Sequence, residues 1–186
     1  MFKRILAKYN ETTDLNKFLI KGIALFMAWR VFRKWMLLNG EQTEFTHWFA
    51  TIYLKVVGFL LSFLAFDPII DYPSRSLWLE GSTHSIYVAY DCLGVNLFFI
   101  FLIFIVAYPG LIKHRIQFVI SGFLIIFLLN SMRMAALAWI VSKWPEKMDF
   151  YHHFVFQGVI FAAIFAMWFM FSQLNHKKNE LPQTEA

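Results

Sequence analysis

The sequence predicts an all-α polytopic integral membrane protein with about five transmembrane helices and a short extramembrane β-like segment before the third helix. Three observations lead to this fold class. Hydrophobic residues make up 59% of the 186 residues and charged residues 16%, whereas an average soluble domain is roughly 45–50% apolar and about 25% charged. Phenylalanine occurs 23 times, and a soluble domain of this size cannot bury that much apolar surface. The apolar residues also collect in stretches of about 20, the length of a membrane-crossing helix.

The composition also excludes several classes of protein. So apolar a chain is neither disordered nor collagen-like, and a chain with a single cysteine is not a disulfide scaffold. The net charge of +5 is typical of a membrane protein with basic cytoplasmic loops. No basic tract with interleaved aromatic residues occurs, so we expect no nucleic-acid partner. Cys92 alone cannot form an internal disulfide or a thiolate metal site, and we expect no metal.

Five apolar stretches are candidate transmembrane helices. The first is the weakest, because four basic side chains between Lys21 and Lys34 interrupt it. The second contains only Lys55, the fourth only Arg133, and the third and fifth contain no charged residue. In chain order the stretches are Phe18–Leu37, Trp48–Phe66, Leu93–Ile112, Ile116–Ile140 and Phe154–Gln173.

The remainder of the chain is polar, and we expect one domain over its whole length. Residues 1–17 and 174–186 are polar end segments. The longest internal polar stretch, Asp67–Asp91, separates the second and third candidate helices. Within it the alternating run Ser85–Tyr90 is rich in β-branched and aromatic residues, which is typical of a strand. A short extramembrane strand or hairpin leading into the third helix is therefore predicted.

Basic residues in short loops predict the orientation in the membrane. The turn 113–115 and the tail at 177–178 are basic and are expected on the cytoplasmic side. The Asp67–Asp91 loop has one arginine against four acidic residues and is expected outside. Basic residues precede the first stretch and also lie near its end, at 30–34, so the side of the N-terminal end stays open. Either residues 1–34 lie partly on the membrane surface, or one stretch is not a full crossing.

Four polar residues from three helices are expected at one level near the outer membrane interface. Arg133 follows Arg115, at the inner end of the fourth stretch, by 18 residues. At about 1.5 Å per residue this is roughly 27 Å, close to the thickness of a ~30 Å hydrocarbon core. Cys92 opens the third stretch at the outer side, and His152 and His153 open the fifth there.

Each of these residues also has a purely structural interpretation. A lone cysteine commonly packs as a small apolar residue, an arginine near a helix end extends to lipid headgroups, and interfacial histidines are often surface residues. Asn130, in the same stretch as Arg133, can simply form a hydrogen bond between helices. Their common depth is what favours a joint function.

The chemistry of such a group is coherent. A thiol attacks as its thiolate, which a nearby guanidinium or imidazolium favours. Arg133 can hold the oxyanion of a tetrahedral intermediate, and a histidine can accept the thiol proton and later protonate a leaving amine. A carboxylate of Asp91 facing inward would disfavour the thiolate, so Asp91 is expected to point to water or to pair with Arg133.

Four short motifs, in this order, resemble the exosortase/archaeosortase family. The spacing is 41 residues from Cys92 to Arg133 and 19 more to His152, and the resemblance covers about residues 75–172. The short length resembles the compact members of the family. The motifs are Tyr90-Asp91-Cys92-Leu93-Gly94, Ala107-Tyr108-Pro109-Gly110, Asn130-Ser131-Met132-Arg133 and His152-His153.

Two departures from the family pattern concern the site. The commoner pair of small residues after the cysteine is here Leu93-Gly94. Many members have a glycine four positions after the histidine, where this chain has Phe156 after His152. The choice between His152 and His153 therefore stays open, and ungapped spacing favours His152.

The resemblance implies a membrane-embedded cysteine protease or transpeptidase at the outer face of the cytoplasmic membrane. Its substrates would be exported proteins with a C-terminal recognition motif, a hydrophobic helix and a basic tail, which are transferred to a cell-envelope acceptor. It implies Cys92 as nucleophile, Arg133 as oxyanion or substrate clamp, and His152 or His153 as acid and base. Thiol acyl transfer needs no cofactor, and none is expected.

Three other functions were weighed against this one. A non-enzymatic scaffold or subunit of an envelope or exopolysaccharide export system would not depend on the Cys92 thiol. A transporter would need paired ionisable groups near the midplane or matching broken helices, which the sequence lacks. A metal hydrolase is poorly supported, since adjacent histidines on a helix point about 100° apart and no further ligand completes a set.

Overall fold

A computed structural model describes residues 14–38, 41–108 and 111–179, and five helices carry the fold. This confirms the predicted all-α architecture. A 3₁₀ turn, a short α-helical turn and a π-helical turn, together covering residues 145–155, precede the last helix and run into it. The helices are α1 (Asp14–Leu38), α2 (Glu41–Phe63), α3 (Val95–Ala107), α4 (Ile112–Lys143) and α5 (Phe156–Asn179).

Three helical segments of the described chain are long and apolar enough to cross a membrane. They are Glu44–Phe63, Ile112–Lys143 and Pro145–Leu174. The apolar helix α3 has 13 residues, about 20 Å, which is shorter than a ~30 Å hydrocarbon core. The chain is thus a polytopic membrane protein. Its three long helical segments can span the hydrocarbon core, whereas α3 is shorter than the core is thick.

Helix α3 is shorter at both ends than the predicted stretch Leu93–Ile112. Gly94 precedes it in the left-handed conformation, with φ of 69°, which breaks the helix from the preceding turn. Tyr108 ends it in an extended conformation, with φ of −75° and ψ of 137°. The residue before a proline avoids the helical region, and Pro109 follows here.

Each of the other helices extends beyond at least one end of the apolar stretch that predicted it. α2 begins at Glu41 instead of Trp48, and α4 continues to Lys143 instead of Ile140. α1 and α5 extend into the predicted polar end segments, whose residues 1–13 and 180–186 lie outside the described residues. Lys, Glu and Gln are good helix formers, so a hydropathy limit marks where the chain turns polar and not where the helix stops.

The predicted extramembrane strand is part of a three-stranded antiparallel sheet. β1 (Pro68–Asp71) pairs with β2 (Ser76–Leu79), and β2 pairs with β3 (Ile86–Tyr87). β3 lies within the predicted run but has only two residues. The β1–β2 hairpin is too short to show a clear alternating pattern in the sequence, so it was recognised only as part of a polar loop.

Two buried clusters lie along α4. The first joins α3, α4 and α5, and it contains Phe101, Ile105, Ile126, Ile160, Ile164 and Phe171. The second joins α2, the sheet, the turn Tyr90–Leu93 and the C-terminal part of α4, with Tyr53, Leu54, Leu77, Leu93, Ala135 and Ala138 among its members. The turn that carries Cys92 thus belongs to the second cluster and leads into the first.

Helix α1 packs along α3 and runs antiparallel to it. Phe18 contacts Tyr108 near the end of α3, and Trp29 stacks on Phe99 near its beginning, with ring centroids 3.4 Å apart. Arg33, near the end of α1, reaches the turn Tyr90–Leu93. The described part of α1 is therefore packed against the helix bundle.

Candidate active site

Cys92 lies in a 3₁₀ turn, Tyr90–Leu93, immediately before α3. Gly94 separates the turn from the helix, and the first helical amides of α3 donate to the Gly94 carbonyl. The Cys92 and Leu93 carbonyls are thereby available to partners from other helices. Cys92 itself is partly exposed.

Two side chains hold these consecutive carbonyls. Asn130 of α4 donates from Nδ2 to the Cys92 carbonyl oxygen at 2.6 Å. Tyr53 of α2 donates its hydroxyl to the Leu93 carbonyl oxygen at 3.0 Å. Both side chains are fully buried, and a buried polar group without a partner would be costly. The cysteine turn is therefore fixed from two helices at once.

Arg133 lies one helical turn beyond Asn130 and is tied to it. Its Nη1 donates to Asn130 Oδ1 at 3.2 Å, so the Asn130 amide links the Cys92 backbone to the guanidinium. The guanidinium is partly buried and within electrostatic range of the Cys92 thiol and the Tyr53 hydroxyl. Its Nε is buried and has no hydrogen-bond partner among the described residues, which leaves donor capacity for a substrate.

The two histidines occupy the π-helical turn Tyr151–Val155 before α5. His152 is partly buried and within electrostatic range of Arg133, whereas His153 is exposed. His152 Nδ1 lies 3.4 Å from His153 Nε2. Electrostatic interactions thus link Arg133 to both Cys92 and His152, and the described residues show no hydrogen bond between the thiol and either histidine.

The apolar surface continues beyond the level of Arg133. Because α4 continues ten residues past Arg133 to Lys143, the helix rises about 15 Å further. Apolar side chains on this part of the molecule are exposed, among them Trp139 and Phe63. Arg133 was expected near the outer end of the apolar region, and it lies about three turns inside the end of α4.

The sequence left two alternatives for Asp91, and the one in which it pairs with Arg133 is wrong. Its carboxylate is 73% exposed and accepts a hydrogen bond from Arg33 Nη2 of α1 at 2.9 Å. The same guanidinium lies over the Tyr90 ring, 5.3 Å from its centroid. Burial raises the pKa of the Tyr90 hydroxyl above its ordinary value, an effect that Arg33 opposes. The other expectation, that Asp91 points to water, is correct.

Sequence reasoning missed two residues of this site, Tyr53 and Arg33. A tyrosine in the middle of an apolar stretch was the available signal for Tyr53, and it was not used. Arg33 was noted only as an interruption of the first stretch. The described residues contain no group of three or more His, Cys, Asp or Glu side chains that could hold a metal ion.

A comparison with protein families gives one match. The model of a family described as transmembrane exosortase matches residues 19–170. The matched range contains Cys92, Arg133 and both histidines, and it runs from α1 into α5. No curated protein and no solved structure matches the chain.

Proposed function

The chain belongs to the transmembrane exosortase family, and from this membership we propose that it is a membrane-embedded cysteine protease or transpeptidase. It processes C-terminal sorting signals of exported proteins at the outer face of the cytoplasmic membrane. The observation that carries the proposal is the pair of hydrogen bonds at Asn130. Its amide nitrogen donates to the Cys92 carbonyl, and its amide oxygen accepts from the Arg133 guanidinium. The cysteine turn and a partly buried cation are thereby held in one hydrogen-bonded network.

In the first step His152 accepts the proton of the Cys92 thiol, and the resulting thiolate attacks the carbonyl carbon of the substrate peptide bond. A carbon–sulfur bond forms, and Arg133 donates hydrogen bonds to the oxyanion that develops. The position of Cys92 before the N-terminus of α3 adds a favourable helix dipole for negative charge. Protonated His152 then donates its proton to the leaving amine as the carbon–nitrogen bond breaks, and a thioester remains.

In the second step the thioester is resolved by water or by a nucleophilic group of an envelope acceptor. His152, now neutral, takes the proton of the attacking group, and the Cys92 sulfur leaves as thiolate. Water gives hydrolysis and an amine or hydroxyl gives transfer, and both outcomes use the same residues. No cofactor takes part in either step.

The substrate is proposed from the resemblance to the family. An exported protein would present its recognition motif to Cys92, keep its C-terminal hydrophobic helix in the bilayer and leave its basic tail in the cytoplasm. Cys92 packs against the buried apolar cluster that α2, the sheet and α4 form, so the thiol adjoins the apolar part of the molecule.

Replacing the thiol tests the proposed function directly. The protein is expressed with a reporter substrate that carries a motif, a hydrophobic helix and a basic tail, and substrate shortening is followed. Cys92→Ala and Cys92→Ser are expected to abolish shortening at unchanged protein levels, because neither side chain supplies a thiolate. Processing that persists in Cys92→Ala would instead favour the non-enzymatic scaffold.

The two histidines are a matched pair of test positions. His152→Ala is expected to lower the processing rate by about 10²–10⁴-fold, the usual contribution of a general acid or base. His153→Ala is expected to change it less than about threefold, because this ring is exposed and a surface side chain seldom contributes to proton transfer in a site. Equal losses in both variants, or the larger loss at His153, would assign the proton transfer differently.

A further inference from the structure

We propose that Tyr53 is a positioning residue of this site, which fixes the cysteine turn through the Leu93 carbonyl. The inference rests on the proposed function, in which Cys92 is the nucleophile. Tyr53 belongs to α2, far in sequence from the cysteine, arginine and histidine motifs. It touches neither the thiol nor a substrate, and it acts on Cys92 through the backbone of the next residue.

The Tyr53 hydroxyl has a single defined place in the protein. The side chain is fully buried, and its ring packs on Phe49 and Phe127 with centroids 5.0 and 4.5 Å away. Because the ring is held on both sides, the hydroxyl cannot swing away from the Leu93 carbonyl. Such a preset donor costs little conformational entropy when the site operates.

The hydroxyl also belongs to the network around Arg133. It lies beside the Asn130 side chain and within electrostatic range of the Arg133 guanidinium. Asn130 holds the Cys92 carbonyl, and Tyr53 holds that of Leu93. With only one of the two donors, the turn can rotate about the remaining hydrogen bond, and the thiol then loses its fixed distance to Arg133.

Tyr53 therefore matters for more than the stability of the second core cluster. The Asn130 amide must stay oriented so that its nitrogen donates to the Cys92 carbonyl and its oxygen accepts from Arg133. If the turn were no longer held at the Leu93 carbonyl, its movement would displace the Asn130 amide, which is bonded to the Cys92 carbonyl. Loss of the Tyr53 hydroxyl is thus expected to weaken the effect of Arg133 on the thiol, and this coupling is measurable.

The rate of alkylation by iodoacetamide measures this coupling between Tyr53 and Arg133 at the thiol, and it needs no substrate. Cys92 is the only cysteine in the sequence, so the rate of modification at a fixed pH reports on this thiol alone. Tyr53→Phe removes one hydroxyl and is expected to slow alkylation about fivefold, the effect of one hydrogen bond. Tyr72→Phe, an exposed tyrosine of the sheet hairpin, is expected to leave the rate unchanged.

A double-mutant cycle separates positioning from general stability. Arg133→Gln removes the charge that favours the thiolate, so it is expected to slow alkylation as well. If Tyr53 acts through the alignment with Arg133, then Tyr53→Phe has little further effect in the Arg133→Gln protein. Rate reductions that multiply, or an unaltered rate in Tyr53→Phe, would overturn the proposal.

Phe127→Leu provides the control for packing. It removes a ring that lies against Tyr53 but keeps the hydroxyl. The melting temperature of each variant is measured beside its alkylation rate, so that the two can be compared at a known loss of stability. Phe127→Leu loosens one side of the Tyr53 ring but keeps the hydroxyl, so it is expected to slow alkylation less than Tyr53→Phe does. Slowing equal to that of Tyr53→Phe at a similar loss of stability would show that packing is the cause, and it would contradict the proposal.

A measurement on the wild-type protein covers the case in which Tyr53→Phe does not fold. The Leu93–Gly94 pair is the only Leu-Gly sequence in the chain. Labelling with carbonyl-¹³C leucine and ¹⁵N glycine therefore selects the Leu93 carbonyl in solid-state NMR of bilayer samples. A hydrogen-bonded carbonyl shift is expected, and a shift typical of a free carbonyl would overturn the proposal.

The outcome of these measurements is independent of the outcome of the test of the proposed function. Substrate processing that persists in Cys92→Ala would refute the peptidase, while the alkylation cycle and the carbonyl shift would still report whether Tyr53 fixes the turn. Conversely, a peptidase that depends on Cys92 but shows no coupling between Tyr53 and Arg133 would retain its proposed function and reject this positioning role.

Discussion

At the scale of single residues, the charges beside the thiol come from two different helices. Arg133 of α4 faces Cys92, while Arg33 of α1 engages Asp91, the neighbour of Cys92 in sequence. An unpaired carboxylate at this position would oppose the formation of a thiolate. Arg33 therefore offsets a negative charge that the turn carries next to its nucleophile.

Removing one charge at a time tests this arrangement. Asp91→Asn is expected to speed alkylation of Cys92 about twofold and Arg33→Gln to slow it about twofold, effects typical of exposed charges. The free energy of unfolding should change by less than about 1 kcal/mol in each variant, since the ion pair is largely exposed.

The matched control for this prediction is Arg30→Gln. Arg30 is an exposed basic residue on the same helix, one turn before Arg33, and its removal lowers the net charge equally. Alkylation rates that fall by the same factor in Arg30→Gln and Arg33→Gln would point to the general field of α1, and not to the pair with Asp91.

At the scale of elements, the contact between α3 and α4 depends on a residue without a side chain. Gly122 of α4 is buried, and a Cβ at this position would collide with the ring of Phe101, which is itself fully buried in α3. The short helix α3 reaches the turn that carries Cys92, so its packing on α4 also sets the place of the nucleophile.

Glycine-to-alanine substitutions at two helical positions test this contact. Gly122→Ala is expected to lower the free energy of unfolding by about 1–3 kcal/mol, the usual cost of overpacking. Gly158→Ala meets no atom within 4 Å and is expected to be neutral or to stabilise by up to about 1 kcal/mol, because alanine is the better helix former. Thermal unfolding in detergent compares the two, and equal stabilities would refute the packing argument.

At the scale of the whole molecule, α1 and α3 run antiparallel along the same length. Since the beginning of α1 contacts the end of α3, both lie at the end of the molecule where the basic turn 113–115 begins α4. The sheet lies at the opposite end, against the C-terminal part of α4. The packing therefore favours a cytoplasmic beginning for α1 and an outside position for the sheet.

Single cysteines placed in a Cys92→Ser protein test this orientation. Thr83→Cys in the sheet region is expected to react with a membrane-impermeant thiol reagent in intact cells. Asn16→Cys in α1 and Lys113→Cys in α4 are expected to react only after the membrane is permeabilised. Labelling of Asn16→Cys and Lys113→Cys from opposite sides would contradict the antiparallel packing as a membrane topology.

The sequence by itself determined the fold class and the identity of the candidate site residues. Hydropathy over about 20 residues reports the lipid environment directly, so the helical stretches were recognisable without any contact between them. Cys92, Arg133 and the histidine pair were selected because chemically demanding side chains are rare in apolar stretches and because helix length converts spacing into depth.

Only the tertiary structure decided which groups these residues meet. The bond from Tyr53 to Leu93 joins residues 40 apart, and the pair of Arg33 with Asp91 joins residues 58 apart. No local pattern encodes such contacts, because they depend on how the helices pack. The same packing buries His152 in part and exposes His153, a distinction that two adjacent identical residues cannot reveal in sequence.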